Sequence, residues 1–175
     1  MKPIHEMTQI EIAAFVQTHL EQNGIHVVLS GGAATGYFSQ NTYVSADIDL
    51  VNEFSINRKR IIDSMATIGF FEVDRHFAHS QSQFVVEFPP GPLTVGIEPV
   101  KAVERILLET GTLIIISATD CVKDRLAAFY HWGDEQCLYQ ARLVKQHATI
   151  DLDEVKRWSI KEGKIKDFDR FLSEE

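Results

Sequence analysis

The chain has 175 residues, of which 45% are hydrophobic and 24% charged. That balance excludes intrinsic disorder and fits one domain with at most a small helical appendage. Lys and Arg number 17 and Asp and Glu 25, for a formal charge of −8, which excludes a protein that grips DNA or RNA through a general basic surface. A nucleotide substrate stays open, because bound metal ions invert the sign of an acidic site.

Thr8-Gln9-Ile10-Glu11 has the spacing of a capping box and predicts a helix running to about Leu20, with Gly24 near its end. The β-branched run Ile25–Ser30 reads as a buried strand broken by Gly31-Gly32, and Ala33–Ser39 as a short helix. Asp47–Val51 alternates acid and apolar residues, as a strand does. Asn57 caps a helix through Ile61, Ile62, Met65 and Ile68 that Gly69 closes. Phe70–Asp74, Phe84–Phe88 and Leu93–Ile97 are further strands, while His76–His79 reads as a loop and Pro89-Pro90-Gly91-Pro92 as a rigid turn. Val103–Leu108 and Leu113–Ser117 flank Gly111-Thr112 as a hairpin. Beyond Ser117 the period becomes helical, with Val122, Leu126 and Phe129 on one stripe and further helical runs at Leu138–Val144, Leu152–Trp158 and Phe168–Leu172. The expected organisation is a mixed α+β core over 1–117 and a helical segment over 118–175 packed on it. The first residues carry no apolar leader and no stretch is long enough to span a bilayer, so no membrane partner is expected. Cys121 and Cys137 lack CxxC spacing and read as reduced thiols of a cytoplasmic protein.

The chemistry concentrates in Val27–Ala34 and Ser45–Leu50. A strand that ends in Gly31-Gly32 and opens a helix exposes backbone N–H groups that suit a phosphate. Asp47 and Asp49 stand two apart on a predicted strand, so they share a face, and neighbouring carboxylates repel unless a cation lies between them. Oxygen ligands of this kind suit Mg²⁺ held jointly with substrate phosphates. A phosphate cradle beside such a pair is the minimal apparatus for phosphoryl or nucleotidyl transfer.

These motifs resemble the nucleotidyltransferase superfamily of DNA polymerase β type, in its small prokaryotic AbiEii-like (type IV toxin) branch. The matching residues are Gly31-Gly32 after an apolar strand and, about a dozen residues on, Ser45-Ala46-Asp47-Ile48-Asp49. The resemblance implies a nucleotidyltransferase fold and a third acid on a later strand. Glu87 in Phe84-Val85-Val86-Glu87-Phe88 is the choice, and Glu98 the competing candidate. It also implies nucleotide contacts by Gly31, Gly32, Ser45, Lys123 and Asp134. The last two fall on one stripe if one helix continues between them. Asp47, Asp49 and Glu87 are then the catalytic acids and the ligands of two Mg²⁺ ions, for which Mn²⁺ can substitute. The implied reaction moves a nucleoside monophosphate from a nucleoside triphosphate (NTP) to a hydroxyl of an RNA end such as tRNA, a protein or a small molecule. A cognate antitoxin is an implied partner. Three departures favour an alternative, a degenerate nucleotide- or partner-binding protein: Tyr43 stands where many relatives carry Arg, Trp132-Gly133 where an Arg is expected just before Asp134, and Gly32 where many carry Ser.

Overall fold

The computed structural model describes residues 2–52 and 57–173. Helix α1 (Gln9–Gln22) starts at Thr8, whose hydroxyl accepts from the Glu11 amide while the Glu11 carboxylate accepts from the Thr8 amide. Strand β1 (Val27–Ser30) runs directly into α2 (Gly31–Phe38), so the two glycines open the helix rather than separating it from the strand. β2 (Asp47–Asn52) and α3 (Arg58–Ala66), capped by Asn57, follow. Next come β3 (Phe71–Val73), β4 (His76–Ala78) and β5 (Val85–Glu87), then a small hairpin of β6 (Thr94–Val95) and β7 (Glu98–Pro99). The hairpin β8 (Val103–Leu108) and β9 (Gly111–Ile116) completes the strands. Helices α4 (Ala118–Trp132), α5 (Glu135–His147), α6 (Leu152–Lys161) and α7 (Ile165–Leu172) finish the chain. Among the described residues no helix is long and apolar enough to cross a membrane.

The main sheet of the described residues has the order β3-β4-β5-β2-β1-β9-β8, with β2 parallel to β5, β1 parallel to β9 and the other neighbours antiparallel. This mixed sheet, flanked by helices, is the α+β architecture expected from the sequence. α1 packs on β9 and β1, and α3 packs on α1. Buried Gln17 ties helix to sheet: its amide donates to the Val27 and Ile114 carbonyls and accepts from the Ile114 amide. Every polar group of this buried side chain is thereby used, as burial requires. Leu29, Ile48, Leu50, Phe77, Val86 and Ile115 are buried in one core.

Three expectations need correction. His76–Ala78 is not a loop but strand β4: Phe77, fully buried, faces the core between two half-buried neighbours. Three residues give too short an alternation to be read from sequence. The strand expected over Leu93–Ile97 is only Thr94–Val95, because Gly96 takes a φ of +58° and turns the chain into β7. Finally, no single helix joins Lys123 to Asp134. α4 ends at Trp132, Gly133 adopts the left-handed conformation (φ +67°) as its C-terminal cap, and Asp134 caps α5 through the Cys137 amide.

Candidate active site

The sheet register sets the site. Asp49 pairs with Ser30 across β1–β2 and with Glu87 across β2–β5, and Glu87 pairs with His76 across β5–β4. Residues directly opposite in a ladder present their side chains on one face. Ser30, Asp49, Glu87 and His76 therefore form a row across four strands, with Asp47 two positions along β2 on the same face. The intervening Ile48 and Val86 are fully buried on the other side.

Asp49 lines a cavity of about 280 Å³ together with Ser30, Gly31, the prolines 89, 90 and 92, and Asp124 and Arg125 of α4. Glu87 lines an adjoining groove of about 510 Å³, with Arg58, Arg75, Phe88, Pro89 and Pro90. The rigid proline turn is thus the wall between the two spaces.

Glycine is required where α2 begins. Gly31 has a φ of +66°, and a Cβ on it would lie 2.1 Å from Asp49 Oδ2. A Cβ on Gly32 would lie 2.9 Å from Ser45 Oγ. The acid motif thus packs directly on the start of the helix. Ser45 Oγ accepts from the Asp47 amide at 3.2 Å, and the Gln9 side-chain amide donates to the Ser45 and Asp47 carbonyls at 2.8 and 3.1 Å. Ser45 and Gln9 shape the approach to Asp47.

The electrostatics are unbalanced. Among the described residues no hydrogen-bond donor or ion-pair partner meets the carboxylate of Asp47, Asp49 or Glu87. The Asp49 carboxyl is raised to about 6, first by burial and next by the Glu87 charge, with Arg125 opposing and Asp124 and Asp47 adding to the rise. Burial works against the charge on Arg125, but Asp124, to which its guanidinium donates, holds its pKa above the ordinary value. A buried carboxylate without a partner is costly, and a divalent cation is the ordinary remedy. The all-oxygen donor set fits Mg²⁺. Among the described residues, however, no group of three or more His, Cys, Asp or Glu is already gathered around one point to hold a metal.

Other sequence candidates lie elsewhere. Lys123 is fully buried, and its ammonium donates to Asp120 at 2.8 Å and Glu154 at 3.3 Å; it lines neither space. The α-helix turns about 100° per residue, so Lys123 and Arg125 point about 200° apart, and only one can face the sheet. That residue is Arg125, which is ion-paired with Asp124; both line the cavity. Asp134 caps α5 and lines neither space. Glu98, the competing third acid, is held by Arg157 and Lys161, whose hydrogen bonds pull its carboxyl down to about 2. It fastens β7 to α6.

No protein-family model matches the chain, and no curated protein does. Solved structures do match in fold. The crystal structure of ANT(2'')-Ia in complex with adenylyl-2''-tobramycin is 13% identical over 95% of this chain and 100% of that one, with a TM-score of 0.55. An antigenic nucleotidyltransferase-like protein from Paracoccidioides brasiliensis is 11% identical over 91% of each chain, also with a TM-score of 0.55. These similarities support the nucleotidyltransferase fold.

Proposed function

We propose that the chain is a Mg²⁺-dependent nucleotidyltransferase that moves a nucleoside monophosphate from an NTP to a hydroxyl acceptor and releases pyrophosphate. One observation carries the reading: Asp49 and Glu87 stand in register on parallel strands, their carboxylates without a hydrogen-bond or ion-pair partner among the described residues, beside a glycine helix start that no Cβ can enter. The amides at Gly31 and Gly32 hold phosphate oxygens at the start of α2. Arg125 offsets phosphate charge from α4 in the role first given to Lys123. Asp47, Asp49 and Glu87 would hold the divalent ion, which when bound activates the acceptor hydroxyl and neutralises the phosphates. Glu87, which lines the groove beside the proline wall, accepts the acceptor's proton. The adenylylated aminoglycoside bound to ANT(2'')-Ia is a product of this reaction type, which supports a hydroxyl acceptor here. The toxin-type branch and its antitoxin rest on the Gly31-Gly32 and Ser45–Asp49 motifs alone, since Lys123 and Asp134 do not join the site.

A second reading, nucleotide binding without transfer, is favoured by the absence of a gathered three-ligand group among the described residues. NTP labelled at the α-phosphorus separates the two. Transfer of label with release of pyrophosphate, dependent on Mg²⁺ and lost in Asp49→Asn, supports the enzyme. Metal-independent binding without pyrophosphate supports the binder.

A further inference from the structure

We infer that the acceptor carries an anionic group close to its reacting hydroxyl, and that Arg75 recognises it. The inference rests on the transferase reading and deepens it. The groove beside Glu87 is lined by Arg58 and Arg75 over the apolar Phe88, Pro89 and Pro90. It adjoins the third acid but not Gly31 or Asp49, which places it on the acceptor side of the proline wall.

The two arginines are held differently. Arg58 is fixed: it donates to Glu72 and, at 2.9 Å, to the Arg75 carbonyl, and its guanidinium lies 5.7 Å from the Phe77 ring centroid. Arg75 is exposed, and among the described residues its guanidinium has no partner. Its backbone is also unusual. β3 and β4 are joined by the two residues Asp74 and Arg75, at φ +48° and +80°, and Val73 pairs with His76 directly below them. Two-residue hairpin turns with both φ positive are the home of Asn-Gly and Asp-Gly. Arg at the second position carries a steric cost that Gly avoids. The Arg58 contact to its carbonyl holds this strained tip in place. An unpaired guanidinium, kept on a strained turn next to a catalytic carboxylate, suits a carboxylate or phosphate, which the guanidinium fork binds in two-pronged fashion. It disfavours a polycation such as tobramycin.

The test compares ribose 5-phosphate, which joins hydroxyls to a phosphate, with tobramycin, which joins hydroxyls to ammonium groups. Binding of each is measured calorimetrically to wild type, Arg75→Gly and Arg125→Ala. Ribose 5-phosphate is expected to bind wild type at least tenfold more tightly than tobramycin. Arg75→Gly is expected to lose at least fivefold of that affinity while melting at a higher temperature, because Gly relieves the turn. Its ATP-dependent thermal shift with Mn²⁺ stays at the wild-type value, and Arg125→Ala retains ribose 5-phosphate binding. Tighter tobramycin binding, unchanged phosphate binding in Arg75→Gly, or a loss confined to Arg125→Ala overturns the inference. If ATP with Mn²⁺ produces no shift in wild type, the transferase reading itself fails, and the acceptor inference falls with it.

Discussion

Replacing Asp49 by Asn removes a charge that the protein, without metal, holds at a cost. The Asp49 carboxyl lies at about 6 in the folded chain against 3.8 ordinarily, because burial and then Glu87 oppose its ionisation. Two pK units at about 1.4 kcal/mol each amount to about 3 kcal/mol of destabilisation once the group is fully ionised. The sign follows from the raised value: well below pH 3.8 the group is protonated in both states and costs nothing. The penalty grows as pH rises through the interval from 4 to 6 and is complete above it. Urea denaturation in EDTA should therefore find Asp49→Asn nearly equal to wild type at about pH 3 and more stable by up to about 3 kcal/mol at pH 7.5. For a chain of this length that is a rise of roughly 6–12 °C in melting temperature. Saturating Mg²⁺ should stabilise wild type alone and narrow the gap. A gap independent of pH, or a variant less stable than wild type at pH 7.5 in EDTA, refutes the reasoning.

Other outcomes follow from the same geometry. Glu87→Gln should lower transfer by about 10²–10⁴-fold, the usual worth of a general base, with the fold intact by circular dichroism. Glu98→Gln should leave the rate per folded molecule unchanged and cost about 1 kcal/mol in denaturant titration, since its partners Arg157 and Lys161 are half-exposed and screened. Gly31→Ala should destabilise by at least about 1–2 kcal/mol from its left-handed φ alone, and its Cβ, falling on the Asp49 carboxylate, should abolish the thermal shift with ATP and Mg²⁺. Lys123→Met should cost about 3–5 kcal/mol by leaving buried Asp120 without its cation. The fraction that still folds should bind ATP normally, because the Lys123 ammonium lies outside the cavity.

What was legible in the sequence was short-range. Capping residues, the period-2 acid strand and the helical stripe of α4 are local signals, and Thr8 and Asn57 cap the helices assigned to them. The pairing of Asp49 with Glu87 was reachable only through resemblance, because the two lie 38 positions apart with α3, β3 and β4 between them, and no spacing encodes which strands become neighbours. Lys123 was misplaced for a related reason. A helix stripe fixes which residues share a face, but not which of two opposite faces meets the sheet. Gln9 escaped notice because its role is to hold the Ser45 and Asp47 carbonyls from a helix 36 residues earlier. Arg75 carried one faint signal, an Asp-Arg pair where a tight hairpin usually has Asp-Gly, visible only once strand β4 is known to exist.

The central claim is that acids from two parallel strands and the glycine start of α2 converge on one nucleotide. A crystal soaked with a non-hydrolysable NTP analogue and Mn²⁺ tests it most directly. The account predicts anomalous density among Asp47, Asp49 and Glu87, with the phosphates on the Gly31 and Gly32 amides. Manganese or nucleotide bound elsewhere, with these carboxylates left bare, would contradict it.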